Sequence, residues 1–72
     1  MFYKLESSDA LICVMRSHTM GKDAHFYHDK ANNKMKLFVS VYRDFDKFEL
    51  PIELLTDYID SYRRSGFKII NF

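Results

Sequence analysis

Residues 51–66, PIELLTDYIDSYRRSG, constrain the fold more than any other stretch, because they carry a helical period with its own start and stop. On a wheel of ~100° per residue, Ile52, Leu55, Ile59 and Tyr62 fall within about 80° of one another, and Tyr58 and Leu54 widen the stripe to roughly 160°. Glu53, Asp57, Asp60 and Arg64 fall opposite. Pro51 suits the first helical position, where its missing N–H is no loss. Glu53 near the start and Arg63 and Arg64 near the end complement the helix dipole. Asp60 stands one turn before Arg64, close enough to pair with it. Ser65-Gly66 reads as the stop, with Gly able to take the left-handed cap. The N-cap position falls on Leu50, which has no side-chain acceptor, so the first turn must lean on Glu53 or water.

A helix with so broad an apolar stripe needs a sheet to cover, and the flanking segments read as strands. Residues 2–6 read as a short strand, followed by turn chemistry at Ser7-Ser8-Asp9. Residues 10–16, ALICVMR, form a near-continuous apolar run, the pattern of a strand buried on both faces. Residues 24–28, AHFYH, carry a weaker strand signal before the polar turn at 29–33. Residues 35–43 alternate best: Met35, Leu37, Val39 and Val41 point one way, Lys36, Phe38, Ser40 and Tyr42 the other. Residues 44–50, DFDKFEL, read as the link from that strand to the helix, and 67–72, FKIINF, as a last strand. The expected fold is α+β, in the order ββββαβ: an antiparallel sheet of four to five strands with one helix on one face. The helix stripe is expected to pack on Leu37, Val39 and Val41.

The chain of 72 residues has room for one domain, 1–72, with a modest core. Its twelve Phe and Tyr residues give that core much of its apolar area. Cys13 is alone, which excludes an intramolecular disulfide and suits a reducing compartment. No apolar run has the length of a signal peptide or a membrane span, so the sequence reads as cytoplasmic, without membrane contact.

Charge is segregated although the total is only +1. Residues 16–43 carry six cations against two acids, net +4, and all three histidines. Residues 44–60 carry six acids against one lysine, net −5. Such opposed patches attract partners of opposite sign.

His18, His25 and His28, with Asp23 and Asp29, invite a metal-dependent hydrolase reading. On a strand, however, His25 and His28 face opposite sides, and no cysteine pair has zinc spacing. No cofactor motif is present, and no metal is expected. Cys13 reads as a buried thiol. Lys36, Phe38 and Tyr42 on one strand face, with Tyr27 near, resemble a nucleic-acid-reading sheet, but the glycines and element order of the RRM are missing. The same aromatics can instead form a homodimer face.

The remaining feature is acidic. Asp44 and Asp46 lead into the helix, and Glu53, Asp57 and Asp60 line its outer face. Like charges that close do little for folding, whereas a larger protein with a basic surface would attract them. The expectation is a non-enzymatic protein-binding module that inhibits or redirects such a partner through this face. In length, in aromatic and Lys/Asn-rich composition and in lacking a catalytic signature, the chain is similar in style to bacteriophage accessory proteins. A nucleic-acid-binding regulator is the alternative, and the hydrolase a weaker one.

Overall fold

A computed structural model describes residues 9–41 and 44–71. Five strands form one antiparallel sheet: β1 (Asp9–Ser17), β2 (Lys22–Asp29), β3 (Lys34–Val41), β4 (Asp44–Pro51) and β5 (Lys68–Asn71). A 3-10 turn (Ile52–Leu54) runs into the helix α1 (Leu55–Arg64) between β4 and β5. The sheet order is β4-β3-β2-β1-β5, so the first four strands form a meander and β5 returns to pair with β1. The chain after β4 must therefore cross from one sheet edge to the other, and α1 is that crossing. The fold is α+β, in the order ββββαβ.

The membership of that order differs from the sequence reading at one strand. Residues 44–50 are not a link but most of β4, in register with β3 from Asp44 opposite Val41 to Pro51 opposite Lys34. Four of the seven residues of this stretch, Asp44, Asp46, Lys47 and Glu49, are charged, and charge is tolerated on a strand that lies at the edge. The expected strand at 2–6 and its hairpin lie outside the described residues, and Asp9 opens β1 rather than ending a turn. The weakest strand signal, 24–28, belongs to β2, which lies at the centre of the sheet. Its signal is weak because only Ala24 and Phe26 of that stretch are buried, while His25 and Tyr27 point to the far side.

Local chemistry sets the hairpins. Between β1 and β2 the Gly21 N–H donates to the Ser17 carbonyl at 2.9 Å and the Met20 N–H to Ser17 Oγ at 3.2 Å. Gly21 holds φ at 65°, a region that costs glycine nothing. Between β2 and β3 the Asp29 carboxylate accepts from the Asn32 N–H at 3.3 Å and from Asn32 Nδ2 at 2.9 Å. Asn33 then takes the left-handed conformation at φ 52°, which asparagine tolerates better than most residues. In β1 the pairing with β2 shifts between Leu11 and Cys13. This bulge adds Ile12 to the residues packed on the core, beside Cys13 and Met15.

The core lies between the sheet and α1. Cys13, Met15, Ala24, Phe26, Met35, Leu37 and Phe67 are buried there. Ile52, Leu54, Leu55, Tyr58, Ile59 and Tyr62 pack on it from the helix segment, as the wheel implied. Leu37 and Val39 receive the helix, while Val41 is half-buried and outside the cluster. No helix residue is fully buried, so the stripe is a lid over a core made mainly by strands.

The helix ends differ from each other. Pro51 closes β4 with ψ at 139° instead of opening the helix, and the 3-10 turn follows. Neither the turn nor α1 has a side-chain N-cap bond; their N-cap positions are Pro51 and Leu54 rather than the expected Leu50, and neither side chain has an acceptor. The C-terminus is a Schellman motif: the Phe67 N–H donates to the Tyr62 carbonyl at 3.0 Å and the Gly66 N–H to that of Arg63 at 3.1 Å. Gly66 sits at φ 101°. The Tyr62 and Phe67 rings, 4.8 Å apart, supply the apolar contact that goes with this cap.

Three substitutions test the core and the helix cap. Leu37→Ala should cost about 2–5 kcal/mol, while Ile59→Ala at its half-buried site should cost only about 1–2 kcal/mol. Urea denaturation separates them, and equal costs would contradict a strand-built core. Gly66→Ala meets open space but a left-handed backbone, so it should cost about 1–2 kcal/mol from backbone strain alone.

Candidate functional site

Five exposed carboxylates lie on β4 and on the helix segment that follows it. Asp46 stands opposite Val39 and Asp44 opposite Val41, so both point to the side that α1 covers. Glu53 lies in the 3-10 turn, and Asp57 and Asp60 on the outer surface of α1. All five are exposed, and among the described residues none takes part in an ion pair. The expected Asp60–Arg64 pair is not formed. Asp57 is in the first turn of α1, where the helix dipole favours it. Glu49 is separate: it faces the other side of the sheet and pairs with Lys47 at 3.4 Å.

One further residue belongs to this face and was missed in the sequence. Phe48 stands opposite Leu37 on the helix side of β4 and is 46% exposed. The sequence signal was weak, because Phe45 and Phe48 are three apart and face opposite sides of a strand, and only the register against β3 shows that Phe48 shares a side with Asp44 and Asp46.

The opposite face of the sheet holds the other candidates, but closed. Lys36 is buried, with Nζ 3.1 Å from Asp9 Oδ2 and 3.9 Å from Asp29 Oδ2. Phe38 is 1% exposed, with its ring edge-on to Tyr27 at 5.6 Å and tilted to Phe45 at 6.5 Å. A base needs an open ring face to stack on, and a phosphate needs a cation in solvent. Lys36 and Phe38 present neither, nor does Phe38 leave an apolar patch for a dimer. Tyr27 is half-buried, and Tyr42 lies outside the described residues. Nothing in the sequence could have shown this ion cluster, because Lys36 and Asp9 are 27 positions apart.

Arg16 and Asp23 form a two-pronged pair across β1 and β2, at 2.8 and 3.1 Å. Arg16 holds the Asp23 carboxyl below its usual range, against the opposing effect of partial burial. Burial pushes the neighbouring His25 down, so it is neutral near pH 7. His25 and His28 face opposite sides of the sheet, His18 sits in the β1–β2 turn, and no group of three metal-ligating side chains converges among the described residues. Burial pushes the Cys13 thiol up, away from the reactive thiolate. A shallow pocket of about 240 Å³ lies between the end of α1 and the β1–β2 turn, lined by Met20, Lys22, Val39, Ser61, Tyr62, Ser65 and Phe67. Its only side chains that titrate are Lys22 and Tyr62, and burial raises Tyr62 further.

The buried cluster gives the fold an acid sensitivity. The Asn32 side-chain amide holds the Asp29 carboxyl below its ordinary range against burial, and the Asn32 N–H and Lys36 add to this. A carboxyl depressed in the folded state contributes stability above its unfolded pKa and loses it as pH falls through the lower folded value. Wild type should therefore lose urea resistance below about pH 4, and Asp29→Asn should be less stable at neutral pH with a flatter acid limb. Parallel acid limbs in the two proteins would remove Asp29 from this role.

Comparison with family models, with curated proteins and with solved structures gave no match, so the functional reading rests on these residues and their placement.

Proposed function

We propose that this chain is a non-enzymatic cytoplasmic binding module whose acidic helix face docks on the basic surface of a larger protein and inhibits or redirects it. The observation that carries the reading is the exposure of Asp44, Asp46, Glu53, Asp57 and Asp60 along β4 and the helix segment, with no ion pair to any of them among the described residues. Folding gains little from charges of one sign held close, and those on the helix repel mildly. A partner whose own ligand is polyanionic, such as a protein with a nucleic-acid groove, meets carboxylates where phosphates would lie. Long-range attraction would speed the encounter, and short-range pairing would fix its orientation. In length and composition the chain is similar in style to bacteriophage accessory proteins, which favours that setting.

The test is capture from a bacterial lysate by wild type and by the variant with Glu53→Gln, Asp57→Asn and Asp60→Asn together. Wild type should hold a basic protein that duplex DNA releases in competition, with an association rate that falls steeply with salt. The variant should keep the wild-type circular dichroism and lose at least tenfold in affinity. Equal affinity would reduce the acidic face to a solvated surface.

A further inference from the structure

We propose that β4 pairs with β4 of a second copy, antiparallel, in one register centred on Phe48. Among the described residues β4 is an outer strand of the sheet, eight residues long, and Asp44, Asp46, Lys47, Phe48 and Glu49 along it are exposed. Phe48 is the most exposed large apolar residue described. A long edge strand is a template for another strand, and its side chains decide which strand fits.

In an antiparallel pair the residues that stand opposite point to the same side of the sheet, so a two-fold axis must pass through one residue of β4. On Asp46, Lys47 or Glu49 the axis sets a charge against its own copy. On Phe45 it sets Asp44 against Asp46 twice. On Leu50 it engages only the end of the strand. On Phe48 it sets the two Phe48 rings together, and it places Lys47 opposite Glu49 on the other face, twice. Asp46 then meets Leu50. No like charges stand opposite in this register, and opposite-charge and aromatic cross-strand pairs are the favourable ones. Lys47 and Glu49 already lie within 3.4 Å in one copy, so pairing would extend them into an alternating ring of four charges.

The axis of such a pair is normal to the sheet, so both helices stand on the same side. The two acidic faces then adjoin across the Phe48 pair and form one longer acidic surface. The pairing rests on β4 alone, and its test reads mass rather than partner binding, so either idea can fail without the other.

Sedimentation of the full chain from micromolar to millimolar concentration is the first measurement. Wild type should be dimeric at the upper end. Lys47→Glu alone and Glu49→Lys alone should each be monomeric with unchanged circular dichroism, and the two together should restore the dimer. Disulfide trapping is the second measurement. Phe48→Cys should oxidise to a linked dimer far faster than Asp46→Cys, since Cys13 is buried in both. A wild type that stays monomeric, a double exchange that does not restore the dimer, or equal trapping at the two positions would each overturn the register.

Discussion

Tyr62 is the contact on which the arrangement of the chain depends. Its ring meets Phe26 edge-on at 5.8 Å, in the central strand, and Phe67 at 4.8 Å, just beyond the helix. The Tyr62 carbonyl also receives the N–H that ends the helix. One residue thus ties the helix to the middle of the sheet and turns the chain back toward β1. Without that turn β5 would not reach its partner, and the edge of β1 beside Val14, Met15 and Arg16 would lie open. Tyr62 is only half-buried, so its importance comes from position more than from area.

The parts of this fold that sequence revealed are those governed by a single period or a single turn. The stripe from Ile52 to Tyr62 and the Ser65-Gly66 stop needed only neighbours along the chain. The faces of β3 were legible for the same reason. The edge strand was not, because four charges in seven residues look like a linker until an edge is known to exist. The burial of Phe38 and Lys36 depends on residues far away in sequence, and a period of two reports only that they share a side. Of the proposed site, the acids could be named from the sequence, whereas the side of the sheet that Asp44 and Asp46 face needed the register of β4 against β3.

The charge of the chain also reads differently once folded. Arg16 is taken up by Asp23, and Lys36 by Asp9 and Asp29. Two of the cations that made residues 16–43 look basic are therefore already answered, one of them out of solvent. The acids from Asp44 to Asp60, apart from Glu49, have no such partners among the described residues. A formal charge of +1 thus conceals a segment, from Asp44 to Asp60, that carries net −5 and is followed at the end of α1 by the exposed Arg63 and Arg64. A partner at a distance would respond to that segment more than to the net charge.

Cys13 has a consequence of another kind. It is the only thiol in the chain, it is 2% exposed, and it lies in the middle of β1 against the core. A small thiol reagent can reach it only when α1 lifts from the sheet or β1 separates from its neighbours. The rate at which that sulfur is labelled therefore clocks the opening of the core itself, and fraying of the turns leaves it silent.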